Sequence, residues 1–307
     1  MRAIALAGVL ALGVAQTGAA ADVCPKWGPL ETVGALDGKL INEASGLEAS
    51  VAHPGRLYHH NDSGDDLRFF VTDMAGGGAK VVNVAGPKPR DIEDMSLGPC
   101  GRATCIYLGD IGDNAAARAD VTFTLVREKR AFAGEVKPLR AVRARYPDGA
   151  HNAEAFAVHP DGDLYVITKP ADGRVTRRDP ALVFRLSAAQ LRAAGEVQVF
   201  EKVGEIDLPK IAPELGIVDW IPTAMDITAD GRRVALLTYG AIYELAVDLS
   251  RGLPAAWTRG RNLQIVRFKR LPQQEAIAWL PDGSGLLLDT EVNNQPTAPL
   301  LRLRCEG

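Results

Sequence analysis

The sequence has 307 residues, of which 47% are hydrophobic and 24% charged, with a formal net charge of −3. The charges are spread along the chain without a basic block, which argues against a nucleic acid as partner. Beyond the N-terminal leader, no segment approaches the run of about 20 apolar residues that a bilayer span requires.

The chain begins with the features of a cleaved export signal. Arg2 precedes an apolar run, and three alanines end the segment before Asp22. This pattern is typical of a signal peptide rather than of a membrane helix. We therefore predict a signal peptide at residues 1–21, a single domain over residues 22–307 and a periplasmic or secreted location. Cys24 lacks the small aliphatic residues that precede a lipid-modified cysteine, so a free protein is favoured over a lipoprotein.

Five segments of the chain share one pattern. In each, an acidic or hydroxyl residue opens a short apolar stretch, a tight turn follows, and a second apolar run ends in polar residues. The copies occupy residues 43–65, 91–114, 152–170, 223–240 and 274–291. Repetition at roughly 50 residues with hairpin turns is typical of a propeller. We predict an all-β fold, a β-propeller with five blades of four antiparallel strands.

Each copy supplies the two inner strands of a blade, and the residues that follow supply the outer two. The third strands are predicted at residues 69–72, 121–125, 182–186, 242–246 and 300–303. The fourth strands are predicted at residues 81–84, 142–146, 197–203 and 263–268, with one short helix at 188–194. The last blade lacks a fourth strand, and the segment near residues 30–36 can close the ring by supplying it. Six blades are the alternative, because the stretch between the third and fourth copies could hide two more strands.

The four cysteines are expected to form two disulfides, because an exported chain meets an oxidising compartment. Cys100 and Cys105 flank a hairpin turn, which brings them within bridging distance. Cys24 and Cys305 lie at the two ends of the mature chain, and the ends of a ring meet. The alternatives are free thiols or a metal site, and the scattered spacing argues against zinc.

Aligning the copies gathers polar residues at one mouth of the ring. Side chains two apart in a strand share a face, and the start of one hairpin strand lies beside the end of its partner. The first strands contribute Glu43, Asp91, Asn152, Ile221 and Gln273, and then, two residues on, Ser45, Glu93, Glu154, Thr223 and Glu275. The second strands contribute Asn61, Asp110, Thr168, Thr238 and Thr290, and then Asp62, Ile111, Lys169, Tyr239 and Glu291.

Carboxylates dominate this mouth. Packed around a narrow axis they repel one another and lose hydration, and a bound cation is the simplest remedy. A donor set made only of oxygens favours Ca²⁺ over Zn²⁺. The alternative is that the acids bind only water and backbone amides. The predicted calcium ligands are Glu43, Asp91, Glu93, Glu154 and Glu275.

Some residues of the mouth are also candidates for contact with a ligand or for catalysis. Lys169 either steadies a negative charge on a ligand or pairs internally with Glu154 or Glu291. Further positive charge is expected from Arg90, His60 and His151, whereas His53 and His159 are expected on the opposite surface. The catalytic candidates are Glu154, Lys169 and Asp110. The ligand-binding candidates are Asn61, Asp62, Asp113, Asn114, Tyr239 and Glu291.

The strings EASGL, HNDSGD, DIEDMS, YLGDIGDN and EAIAWLPDG resemble exported bacterial propellers related to the SdiA-regulated family and to esterase-like phytase domains. The resemblance covers nearly all of the mature chain, although Ile92 stands where such sequences usually carry an aromatic residue. It implies an exported propeller with a calcium site and leaves the reaction open, because fold does not fix function.

Two functions of different classes remain open. The first is a binding or interaction protein whose mouth receives a small molecule, a saccharide or a peptide. The second is a Ca²⁺-dependent hydrolase of phosphoesters or lactone-like esters. The sequence carries no serine-nucleophile elbow, zinc-protease helix or nucleotide-binding loop. Because the sequence shows no nucleophile–base pair that the repeat itself would not explain, the binding protein is favoured, and we expect a monomer.

Overall fold

The computed structural model describes residues 23–170, 179–193, 195–271, 273–293 and 295–307. These residues form five sheets in a ring, each with four antiparallel strands, and two of the sheets have a fifth, short strand added in parallel at the outer edge. The innermost strand of each sheet contacts the innermost strands on either side, which closes the ring. The predicted five-bladed propeller is therefore confirmed, and the six-bladed alternative is not. The signal peptide predicted at 1–21 lies outside the described residues. Within the described residues, no helix is long and apolar enough to cross a membrane.

The strands follow one another from the axis outwards in each blade. The first strand of the chain, β1 (Glu31–Asp37), is the exception and belongs to blade 5. Blade 1 contains β2 (Ala44–Ala49), β3 (Arg56–Asn61), β4 (Arg68–Asp73) and β5 (Lys80–Val84). Blade 2 contains β6 (Ile92–Pro99), β7 (Thr104–Asp110), β8 (Val121–Arg127) and β10 (Arg140–Arg145). The short β9 (Glu135–Val136), between β8 and β10, pairs in parallel with β5 of blade 1.

The remaining blades keep this order. Blade 3 contains β11 (Ala153–Val158), β12 (Leu164–Thr168), β13 (Ala181–Leu186) and, after helix α1 (Ala188–Arg192) and β14 (Gln198–Val199), β15 (Glu201–Ile206). Helix α2 (Leu208–Ile211) and a 3₁₀ turn (Ile217–Trp220) lead to blade 4, which contains β16 (Pro222–Ile227), β17 (Arg233–Thr238), β18 (Ala241–Ala246) and β19 (Leu263–Arg267). A second 3₁₀ turn (Leu249–Arg251) precedes β19, and blade 5 contains β20 (Ala276–Trp279), β21 (Gly285–Asp289) and β22 (Thr297–Arg304).

The two ends of the chain close the ring together. Strand β1 pairs antiparallel with β22, so an N-terminal strand completes blade 5 as predicted. Both predicted disulfides are confirmed, Cys24–Cys305 across the ends and Cys100–Cys105 across one hairpin. The N-terminal segment is held further by the buried Glu244, whose carboxylate accepts hydrogen bonds from the Cys24 amide and the Trp27 indole.

The strand predicted at residues 197–203 divides between two blades. Its first part, β14, pairs parallel with β10 of blade 2, and only β15 belongs to blade 3. The division occurs at Phe200, which is buried against Tyr146 of blade 2 and donates its amide to the Arg145 carbonyl. The predicted helix 188–194 ends at Arg192, and residue 194 lies outside the described residues.

The inner strands pack through alternating large and small columns. The large residues lie at one aligned position and are at most 1% exposed: Leu47, Met95, Phe156, Met225 and Ile277. The position just before each of them is Gly46, Asp94, Ala155, Ala224 and Ala276. Because the blades converge at the axis, a large residue of one blade fits only against a small position of its neighbour. A Cβ at Gly46, for example, would collide with His60 and approach the Met95 side chain.

The register of the inner hairpins shifts at the same aligned position in four blades. In blades 1 to 4 the shift leaves one extra residue in the first strand: Ser45, Glu93, Glu154 and Thr223. A bulge of this kind bends the strand and re-aims the side chain that it carries. The predicted polar level therefore lies at a recurrent bulge at one end of the ring.

Candidate functional site

We define the acidic mouth as the side chains that converge on this end of the axis: Asp62, Asp91, Glu93, Glu154, Lys169, Glu275 and Glu291. Two overlapping groups of three carboxylates occur here, and the oxygens within each group lie within 4.8 Å of one another. One group is Asp62, Asp91 and Glu93, and the other is Asp62, Glu275 and Glu291. Asp62 belongs to both, so blades 1, 2 and 5 meet at its carboxylate.

A single ammonium group lies among these acids. Lys169 contacts Glu154, and the two side chains are only 13% and 7% exposed. Of the two internal partners considered for Lys169, the structure therefore pairs it with Glu154. Loss of hydration lowers the pKa of Lys169, while the charges of Glu93 and Glu275 act in the opposite direction. The lysine neutralises part of the negative charge of the mouth.

Blade 4 contributes an aromatic side chain to the acidic mouth. The hydroxyl of Tyr239 donates a hydrogen bond to Glu275 Oε1 at 3.2 Å. The ammonium of Lys169 lies 5.9 Å from the centre of the Tyr239 ring, and the guanidinium of Arg270 lies 5.5 Å from it. Both distances fall within the range of a cation–π contact. Tyr239 therefore links the buried lysine to an exposed arginine at the rim.

Several carboxylate oxygens of the mouth are buried without a hydrogen bond. Among the described residues, Asp62 Oδ1, Glu154 Oε2 and Glu275 Oε2 have no hydrogen-bond partner, and Glu154 and Glu275 are only 6% and 5% exposed. Native proteins rarely leave buried polar atoms unpaired, so such atoms call for an explanation such as an ion or water. The loop backbone packs closely against two acids of the mouth at Gly112, because a Cβ at that position would collide with Asp91 and Glu93.

Burial raises the proton affinity of the acids. Loss of hydration, with the neighbouring carboxylates acting in the same direction, raises the pKa of Glu275 to about 7 and that of Asp62 to about 6. The pKa of Glu93 is raised well above its ordinary value for the same reasons. Near neutral pH the mouth therefore holds protons unless a cation replaces them.

Other predicted site residues lie in loops around the mouth rather than in the two carboxylate groups. Asp110 accepts hydrogen bonds from Arg118 at 2.8 Å and from the Asp91 amide at 3.0 Å. Asp113 accepts from the amides of two residues in its own loop. Asn114 accepts from the amide of Asn152. These three side chains hold the loop after β7 in place.

Asn61 and Glu43 lie in blade 1 at the edge of the mouth. The Asn61 amide group donates to Leu40, Asn42 and Asp65, and its oxygen accepts from the Glu43 amide. Glu43 is half-buried and lies outside both carboxylate groups, although its charge contributes to the raised pKa values of Asp62 and Glu291. The Asn61 side chain is therefore occupied by neighbouring residues of the chain. The Glu43 carboxylate, a predicted calcium ligand, is not among the carboxylates that the structure brings together.

The histidines differ from expectation. Burial lowers the pKa of His60 to about 4, so it is neutral and does not supply the positive charge expected of it. His151 pairs with Asp148 at 2.8 Å. His159, expected at the surface, is buried and approaches the Gly231 carbonyl at 3.2 Å.

Sequence reasoning missed a second set of buried acids, Glu48, Asp94 and Asp226. Each accepts a hydrogen bond from a backbone amide of another blade: Glu48 from Leu97, Asp94 from Phe156 and Asp226 from Trp279. The signal was present, because these acids occupy the columns that are otherwise glycine, alanine or serine in the inner strands.

No protein-family model matches the chain, and no curated protein matches its sequence. Among solved structures, the PQQ-bound aldose sugar dehydrogenase of Streptomyces coelicolor is similar, with a TM-score of 0.52, 15% identity and coverage of 93% of this chain and 100% of that one. The hydrazine synthase of Kuenenia stuttgartiensis gives a TM-score of 0.45 and 13% identity, over 86% of this chain and 72% of that one. At these identities the similarity concerns the β-propeller fold alone.

Proposed function

We propose that this protein is an exported ligand-binding propeller that holds a calcium ion in its acidic mouth. The observation that carries the proposal is the set of buried carboxylate oxygens that lack hydrogen bonds, on Asp62, Glu154 and Glu275. Oxygen ligands from several carboxylates are what Ca²⁺ prefers. The two disulfides and the predicted signal peptide support export, and the resemblance to exported calcium-binding propellers agrees with both points.

The residues of the acidic mouth would have different roles in binding the ion and the ligand. Asp62, Asp91, Glu93, Glu275 and Glu291 would hold the ion, because their oxygens already form the two groups of three. Lys169 would keep Glu154 ionised and offer an ammonium to an anionic group of the ligand. The ion would supply positive charge to the same group. Because the mouth lies where all five blades meet, one bound ion would also stiffen the axis.

A Ca²⁺-dependent hydrolase of phosphoesters or lactone-like esters is the second candidate. It is favoured by Glu154, which lies outside both carboxylate groups, contacts Lys169 and has one buried carboxylate oxygen without a hydrogen bond among the described residues. In this case Glu154 would accept a proton from water, and Lys169 would stabilise the developing negative charge. Hydrolysis of a panel of esters and phosphoesters with calcium present, lost in Glu154→Gln, would select this candidate.

The calcium site is tested by thermal unfolding and calorimetric titration with calcium, magnesium and a chelator. Calcium at 100 times its dissociation constant should stabilise the fold by about 2.7 kcal/mol, because it binds only the folded state. Asp62→Asn should lose at least about tenfold in calcium affinity, since hydrogen-bonding and charge partners of this kind contribute about 1.5–3 kcal/mol. In chelator, the same variant should be as stable as the wild type or more stable, because one repelling carboxylate is gone.

Two matched variants sharpen this test. Gly112→Ala keeps every charge but displaces Asp91 and Glu93, so it should also weaken calcium binding. Glu205→Gln removes an exposed acid from the outer strand of blade 3 and should change nothing. A wild-type protein whose unfolding is indifferent to calcium, or an Asp62→Asn variant that binds calcium normally, would refute the proposed site.

A further inference from the structure

The opposite end of the ring carries a cavity that the calcium proposal does not use. It has a volume of about 430 Å³ and is lined by residues from all five blades, at the turns between first and second strands. We define this opposite mouth by six lining residues: Glu48, Val51, Leu97, Pro160, Asp226 and Leu280. The volume falls within the range of small-molecule sites, which are mostly apolar with a few polar groups.

Two carboxylates lie in this cavity, which is lined by apolar side chains and by a smaller number of polar ones. Glu48 and Asp226 are 5% and 7% exposed, and the charge of Asp226 adds to burial in raising the pKa of Glu48. Burial raises the pKa of Asp226 to about 7 and that of Glu48 well above its ordinary value. Asp94, fully buried further along the inner strands, adds to the negative charge.

The acids of the opposite mouth lack the paired cation that the acidic mouth contains. In the part of the chain that the structure describes, none of Glu48, Asp94 and Asp226 forms an ion pair, whereas Lys169 pairs with Glu154 at the other end. Arg102 lines the cavity but is exposed and makes no such contact. Buried carboxylates without a cation favour any ligand that supplies one.

The residues that line the cavity determine which kind of cation it can bind. A calcium ion takes six to eight oxygens, and the described residues do not bring three carboxylates together at this end. Apolar side chains of valine, leucine, isoleucine and proline surround the two acids instead. We propose that the opposite mouth binds an organic monocation, a primary ammonium group on a compact apolar body, with the ammonium between Glu48 and Asp226.

The probe for this site is 2-phenylethylammonium, and 2-phenylethanol is its neutral analogue of similar shape. Titration calorimetry with calcium at saturation keeps the acidic mouth occupied. The ammonium should bind at one site and the alcohol at least about tenfold more weakly, because the charged interaction is lost. Glu48→Gln should weaken ammonium binding by about tenfold or more. It keeps an oxygen to accept the Leu97 amide, so the fold should survive.

Controls separate this site from the acidic mouth and from misfolding. Asp62→Asn should bind the ammonium as the wild type does. Val51→Arg places a cation at the rim, where the valine is 60% exposed, and should weaken binding even if Glu48→Gln fails to fold. Absence of binding to the wild type, equal binding of the alcohol, or full binding by either folded variant overturns the proposal. So does a loss of ammonium binding in Asp62→Asn, because the ligand would then occupy the acidic mouth.

Discussion

Lys169 acts as an internal counter-ion for carboxylates that come from different blades. A buried carboxylate that loses its only cation is left with the full cost of its lost hydration. The ammonium also competes with a metal ion for the negative charge of these carboxylates. Removal of this one side chain should therefore have opposite effects on stability and on calcium affinity.

We predict that Lys169→Met lowers stability in chelator by about 3 kcal/mol, because Glu154 is left buried and unpaired. The same variant should bind calcium more tightly, because a competing positive charge is gone. Chemical unfolding and calorimetric titration measure the two effects. Lys26→Met is the matched control: it breaks the exposed pair with Glu306, and should leave both quantities nearly unchanged. Weaker calcium binding by Lys169→Met would contradict this account.

Individual residues show how far the sequence could predict the site. The sequence places the level of Asp62, Lys169, Tyr239 and Glu291 at the mouth because strand ends share a side, and the structure brings these residues there. The sequence favours the level of Asn61 and Asp110, one residue earlier, equally. Its side chains bind backbone amides at the start of the inner strands instead. Residue type alone could not separate these two uses, because both need short polar side chains.

At the scale of elements, the inner strands have a particular requirement. Each is the edge strand of its blade and carries amide groups without partners inside its own sheet. Side chains of neighbouring blades satisfy several of them, as Asp94 does for Phe156 and Ser96 does for Val158. The acids in the small columns therefore connect blades as well as fill space. A sequence pattern indicates strands and turns, but it does not show which blade supplies the partner for an edge amide.

The terminal closure of blade 5 can be tested against the hairpin bridge of blade 2. The Cys24–Cys305 bridge has a sequence separation of 281, whereas Cys100–Cys105 has a separation of 5. The chain-entropy description assigns about 5 kcal/mol to the long loop and about 2 kcal/mol to the short one. Replacing both cysteines of each pair by serine should therefore destabilise the terminal variant more, as measured by urea unfolding. Equal losses would show that β1 and Glu244 hold the ends without the disulfide.

At the scale of the whole molecule, the propeller carries buried acids at both ends of one axis. Their pKa values are raised, so the folded state binds protons more tightly than the unfolded chain does. The stability that these groups contribute is fully present below their ordinary values, near 4, and is lost as the pH rises through the raised values. His60 has the opposite sign, because its pKa is lowered, but its effect ends at its ordinary value of 6.5.

We therefore predict that stability in chelator falls between pH 6.5 and pH 8, by up to about 1.4 kcal/mol for each pH unit and each titrating carboxyl. Glu275 at the acidic mouth and Asp226 at the opposite mouth titrate in this range, because both have pKa values of about 7. Calcium should remove only the pH dependence of stability that is due to the acidic mouth, since a bound cation replaces the protons there. Urea unfolding at several pH values, with calcium or with chelator, separates the pH dependence due to each mouth. Asp226→Asn should reduce the pH dependence of stability that remains in calcium. A stability that rises over this pH range would contradict the burial of these acids.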